Sequence, residues 1–148
     1  MAYEFKHTRQ VEFFETDTAG IMHFSNFFRY MEITEHSFFR SLGLSVHTDQ
    51  GNGKVISWPR IQASCDYKAP LRFEDNVEIQ LLVTEKNKKV LGYTFIFRKQ
   101  QDDEWIEVAR GNLKVVCAML DDITQTMKSV SMPKAFDETI EVVPSEML

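Results

Sequence analysis

The passage Phe13-Phe14-Glu15-Thr16-Asp17-Thr18-Ala19-Gly20-Ile21-Met22-His23-Phe24-Ser25-Asn26-Phe27 holds the residues best placed to do chemistry. A carboxylate, Asp17, sits where a strand-like segment ends, and a helix begins several residues later. Helix N-termini present unpaired peptide N–H groups and the positive end of the macrodipole. Such donors stabilise negative charge growing on a carbonyl oxygen. A carboxylate beside them can attack that carbonyl or activate water. Gly20 lets the chain bend sharply and lets a ligand approach the backbone. Asp is also favoured in turns and helix caps, so spacing alone leaves both roles open for Asp17. Ser25 and Asn26 read first as N-cap residues, and His23 as a loop histidine or a substrate contact.

Hydrophobic periodicity supplies the elements that must hold this passage. Phe5, Val11 and Phe13 alternate with Lys6, Gln10 and Glu12, which predicts an opening strand. A helix is expected from about Phe24 to Leu42, because Phe24, Phe27, Phe28, Met31, Phe38, Phe39 and Leu42 share one side at about 100° per residue. Arg29, Tyr30, Ser37 and Arg40 fall opposite, and Gly43 is a natural stop. The stretch from His47 to Gly53 reads as a polar loop. Alternation then predicts strands around Val55–Tyr67, with a bulge or edge at Pro59, around Val77–Thr84, around Leu91–Arg98, and from Trp105 to about Leu120. The tail from about Asp122 reads as short helix or coil on the surface. One helix with about five antiparallel strands in a single domain, residues 1–148, is an α+β pattern in which the sheet curls around the helix. Its open edges call for at least a homodimer.

Glu35 falls in the middle of the helix's apolar stripe. A buried, unpaired carboxylate is strongly disfavoured, so it must meet a cation, take up a proton or face a cavity. Pairing with an Arg or Lys from the sheet is the expected solution. Glu32, at the rim of the stripe, reads as a structural hydrogen-bonding residue. Lys86, Lys88 and Lys89 form the densest basic group. They are candidate contacts for the phosphates of an anionic ligand, though charged turns also blunt sheet edges.

The 148 residues carry a net charge of -5, which disfavours a dedicated nucleic-acid binder. No apolar run approaches the roughly 20 residues needed to span a bilayer, so no membrane span is expected. The first residues lack a signal core, and two cysteines, Cys65 and Cys117, are too few for a disulfide framework. Both read as reduced core residues of a cytoplasmic protein. The four histidines are scattered, without the spacing of a zinc site, so no metal is expected.

The run Asp17-Thr-Ala-Gly20, followed by Asn26 and an aromatic-rich helix carrying Glu32, resembles the hot-dog-fold acyl-CoA thioesterases of the 4-hydroxybenzoyl-CoA thioesterase type. That resemblance covers the element order to about Leu120. It implies that Asp17 is the catalytic carboxylate and that the Phe24 peptide N–H polarises a thioester carbonyl. Gly20, His23 and Asn26 complete the implied substrate-binding passage. Basic residues near the Lys86–Lys89 hairpin are implied to meet CoA. The resemblance further implies an active site between two subunits, dimers that pair into tetramers, and no cofactor. Many relatives carry Tyr or Trp where this chain has His23, and an aromatic hydroxyl near the site where it has Phe24. These departures leave the acyl group open, as they do the choice of CoA or an acyl carrier protein. A hot-dog protein that binds acyl thioesters without cleaving them is the alternative.

Overall fold

A computed structural model describes residues Met1–Leu148. β1 (Glu4–Gln10) leads through a 3₁₀ turn at Phe13–Glu15 and a loop into α1 (Ser25–Ser41). A hairpin of β2 (Thr48–Gly51) and β3 (Lys54–Ser57) follows, then β4 (Arg60–Tyr67), β5 (Asn76–Lys86), β6 (Val90–Gln101) and β7 (Glu104–Val116). The chain ends with β8 (Ala118–Asp121), β9 (Thr126–Ser129), the short helix α2 (Lys134–Asp137) and a 3₁₀ turn at Ser145–Met147. The main sheet is antiparallel with strand order β1-β5-β6-β7-β4. No helix is long and apolar enough to cross a membrane.

The period-two pattern explains why this sheet takes α1 on one face. Val77, Ile79, Leu81 and Val83 of β5 and Leu91, Tyr93, Phe95 and Phe97 of β6 are buried in the core shared with Phe27, Met31, Phe38 and Phe39 of α1. Phe27 meets Phe97 edge-on at 5.2 Å between ring centroids. Gly111 of β7 leaves room for the end of the Met31 side chain of α1, with which a Cβ there would collide. The expected arrangement, one long helix wrapped by five antiparallel strands, is therefore present.

Several expected details are corrected. The opening strand stops at Gln10, and the 3₁₀ turn that follows leaves Phe13 and Phe14 exposed, Phe14 at 81%. Phe24 is 60% exposed, whereas Tyr30 is fully buried although it lies on the flank opposite the stripe. The polar loop at His47–Gly53 is instead the β2–β3 hairpin. The predicted strand across Val55–Tyr67 divides at Trp58–Pro59, and the last long strand divides at Cys117. Past those breaks β3 pairs with β8, so the β4–β7 ladder continues into a second sheet of order β2-β3-β8-β9. The tail does not merely rest on the surface. Phe136 packs against Phe39 and Trp58, and Ile140 and Val143 are buried. Cys117 is buried as expected, but Cys65 is only half-buried on the edge strand; partial burial pushes its thiol up to about 11.

Glu35 meets the expected cation. Its Oε1 accepts a hydrogen bond of 2.7 Å from the Arg60 guanidinium, which also lies 3.5 Å from Glu32. Burial raises the Glu35 carboxyl above its usual range, and Arg60 pulls it back. Removing Arg60 would leave a buried carboxylate without its charge partner, a change that costs about 3 kcal/mol. Arg60→Ala is therefore expected to lower stability to chemical denaturant by that order at about pH 7. Because the orphaned carboxyl gains a proton as pH falls through its raised pKa, the deficit against the parent should shrink by about pH 5. Denaturation curves at both pH values check the size and the sign.

Candidate active site

The Asp17 loop is pinned at both ends by its own backbone. Asp17 N–H donates to Ile21 O at 2.9 Å, and Gly20 N–H donates to Asp17 O at 2.9 Å. Thr16 and Met22 form an antiparallel bridge, and Met22 N–H donates to Leu71 O at 2.7 Å. Gly20 closes this turn at φ +77°, a left-handed conformation that strains any side-chain-bearing residue. Ala19 N–H donates to Asp17 Oδ1 at 2.9 Å, an Asx turn that orients the half-buried carboxylate and engages one of its two oxygens.

Asp17 lines a cleft of about 500 Å³ together with Ile21, Met22, Phe24, Phe27 and the segment Tyr67–Leu71. Its walls are mostly apolar. Phe24 precedes the first turn of α1, and its N–H finds no acceptor within the chain; the neighbouring His23 N–H donates to Glu15 O, and Asn26 N–H to His23 O. Phe24, whose unpaired peptide donor stands at the positive end of a 17-residue helix, thus lines the same cleft as Asp17. Tyr67 also lines the cleft, its hydroxyl donating to Phe24 O at 3.4 Å. Lys68 is the cation on the cleft wall, and it is paired with Glu107. Arg110 and Lys68 together hold the Glu107 carboxyl below its usual range.

The other expected residues divide between support and periphery. Asn26 is buried beneath the loop, where its amide donates to Glu15 O at 2.8 Å and its Oδ1 accepts from Arg29 at 3.1 Å. It is not an N-cap, and neither is Ser25, whose hydroxyl pairs with His23 Nδ1 at 2.8 Å. His23 is exposed and stacks on the Phe24 ring at 4.6 Å without lining the cleft. Lys86, Lys88 and Lys89 surround the β5–β6 turn and do not line the cleft of their own chain. The Lys86 amine is committed to the tail, donating to Asp137 O and Ile140 O at 2.7 Å each.

Sequence reasoning missed Glu15 and Tyr30. Glu15 is 5% exposed, and its Oε1 accepts from Tyr30 OH at 2.6 Å and from Glu12 N–H at 2.9 Å. Arg9 lies 3.7 Å from the other carboxylate oxygen and stacks over the Tyr30 ring at 4.7 Å. Burial, reinforced by the Glu15 hydrogen bond, drives the Tyr30 hydroxyl far above its ordinary pKa, so it is a donor at neutral pH. The available signal was the tyrosine itself, since a helix flank buried under a neighbouring strand needs a partner for its hydroxyl. The Tyr67–Leu71 wall was also missed as part of the site, although the Ala69-Pro70 break marked it as irregular chain.

Residues 11–140 match the family described as the thioesterase-like superfamily. A protein of Aquifex aeolicus is 35% identical over 141 residues, spanning 94% of this chain and 97% of its own. The 1,4-dihydroxy-2-naphthoyl-CoA hydrolase of Prochlorococcus marinus is 27% identical, covering 73% of this chain and 71% of its own. The solved structure of the 4-hydroxybenzoyl-CoA thioesterase from Pseudomonas sp. strain CBS-3 has a TM-score of 0.77 at 18% identity, over 93% of this chain and 99% of that one. At that identity the likeness is one of fold.

The turn at Gly20 gives a direct check on the loop. A Cβ there meets no atom within 4 Å, so any effect of Gly20→Ala comes from backbone strain at positive φ rather than collision. The variant should lose about 1 kcal/mol of stability. Circular dichroism during thermal unfolding measures it, with a helix and sheet signal unchanged at low temperature.

Proposed function

The chain belongs to the thioesterase-like superfamily as a thioester hydrolase with the hot-dog fold, and from that premise we propose that it cleaves an acyl-CoA ester using Asp17 and the Phe24 peptide N–H. The observation that supports this reading is that Asp17 and Phe24 line one apolar cleft, with the Phe24 peptide donor unclaimed by any acceptor of the chain. The substrate carbonyl oxygen accepts from Phe24 N–H. Negative charge that develops there gains from a donor already oriented in a partly desolvated site. The Asp17 oxygen not engaged by Ala19 faces the carbonyl carbon, as nucleophile or as base toward water.

Two routes follow from these roles. In the first, the Asp17 oxygen bonds to the acyl carbon, the C–S bond breaks, and CoA leaves as a thiolate that takes a proton from water. A second water then opens the mixed anhydride, restoring the carboxylate and releasing the carboxylic acid, and the proton it loses neutralises the hydroxide left by the first. In the second, Asp17 takes a proton from water as the hydroxide bonds to the acyl carbon, and the thiolate leaves with that proton. Lys88 and Lys89, exposed and without ion-pair partners, are the proposed contacts for the CoA phosphates; Lys86 anchors the tail behind them.

A second copy of the chain completes the site in this reading. β4 is an edge of the main sheet, its Ile61 is 54% exposed, and Ala63 and Tyr67 are exposed too. Open edges of this kind pair readily with another strand. Because β4 ends at Tyr67 in the cleft wall, a two-fold pairing along β4 would set a second subunit against the cleft mouth.

Two measurements test these proposals. Asp17→Asn should fold like the parent and lose about 10²- to 10⁴-fold in thiol release from a panel of acyl-CoA esters. Parental turnover in that variant would end the catalytic assignment. Light scattering should give at least twice the 17.3 kDa chain mass, and a charge at Ile61 in the proposed interface (Ile61→Glu) should reduce it to the single-chain value.

A further inference from the structure

Glu15 lies outside the cleft, yet both groups assigned to the reaction are tied to it. Asp17 follows it by two residues. At the far end of the loop, His23 N–H donates to the Glu15 carbonyl at 2.9 Å, one residue before Phe24. The Asn26 amide, from the first turn of α1, donates to the same carbonyl at 2.8 Å. One peptide oxygen therefore joins the two ends of the loop and the start of the helix. The side chain of the same residue is held as well, its carboxylate bound by Tyr30 OH and by Glu12 N–H. Tyr30 is one turn further along the helix than Asn26, so the carboxylate and the carbonyl are held by the same face.

We propose that Glu15 and Tyr30 are positioning residues, whose hydrogen bond sets the spacing between the Asp17 carboxylate and the Phe24 N–H. The proposal rests on the catalytic reading given above. Neither residue lines the cleft, so neither touches substrate within the chain; any effect on turnover passes through the loop. The reacting atoms tolerate little displacement, and an error of about 1 Å can cost about 10²-fold in rate. A buried carboxylate is otherwise a poor investment here, because an apolar side chain would fill the same space without desolvating charge. The hydrogen bond also differs from the Glu35–Arg60 pair, which joins the middle of α1 to β4 and does not touch the loop.

Three variants separate positioning from plain stability. Tyr30→Phe deletes only the hydroxyl, Glu15→Leu deletes the carboxylate, and Glu15→Gln keeps an acceptor oxygen for both Tyr30 OH and Glu12 N–H. Steady-state kinetics on the acyl-CoA ester that the parent hydrolyses best should show kcat lower by about tenfold in Tyr30→Phe and about 10²-fold in Glu15→Leu, with KM within about twofold. Glu15→Gln should recover kcat to within about threefold of the parent. Amide exchange in the free protein should speed up at His23 in Glu15→Leu while β5 and β6 amides keep parental rates. Folded Tyr30→Phe and Glu15→Leu variants with parental kcat would overturn the positioning role, whatever their melting temperatures. A parent that cleaves no acyl-CoA ester at all would instead overturn the catalytic reading on which the role depends.

Discussion

The carbonyl of Glu15 is the point on which the site depends. It accepts two hydrogen bonds, one from the backbone of His23 and one from the side chain of Asn26, and so turns an irregular loop into a fixed link between β1 and α1. Loops normally carry their polar groups at the surface because buried ones must be paired. Here the pairing is made by the helix that the loop introduces. The cost of burying Glu15 is offset by partners for its carboxylate as well as its carbonyl, and the loop gains rigidity that its surface position would not provide.

That link works only because α1 is itself immobile. Its stripe of Phe27, Met31, Phe38 and Phe39 is packed into the concave face of the main sheet, and Gly111 lets Met31 reach the strand. Packing of this density means that a shift of the helix would be felt across β5, β6 and β7 together. The Glu35–Arg60 pair adds a directional tie to β4, the strand that ends in the cleft wall. The tail closes the other side, with Phe136 on Phe39 and Trp58, and Lys86 reaching back to hold the tail's carbonyls. Sheet, edge strand and tail therefore hold α1 along its length, and its N-terminus is the end that the loop meets.

Much of this was legible in the residues, and the remainder has physical reasons for being hidden. The helix, the curled five-stranded sheet, and the need of Glu35 for a cation all follow from apolar period and the cost of buried charge. The passage around Asp17 stood out because a carboxylate, a turn glycine and a helix start occur together. The short strands β2 and β9 were hidden because they carry no buried face, so pairing with β3 and β8 alone defines them. Tyr30 was misplaced because a helical wheel knows nothing of β1, whose Arg9 covers that flank. Phe13 and Phe24 were read as interior residues, yet the loop's own geometry turns them outward. The tail's Met132, Phe136, Ile140 and Val143 are spaced at three and four residues, a pattern masked by the polar residues between them.

In the proposed complex a thioester carbonyl sits between Asp17 and the Phe24 N–H. Infrared difference spectroscopy tests it most directly, using an acyl-CoA ester labelled with ¹³C at the carbonyl and bound to the Asp17→Asn variant. A carbonyl stretch moved to lower frequency than in free solution is the predicted result, because a strong donor held against that oxygen weakens the C=O bond. A bound ester whose carbonyl absorbs at or above its solution frequency would contradict the account.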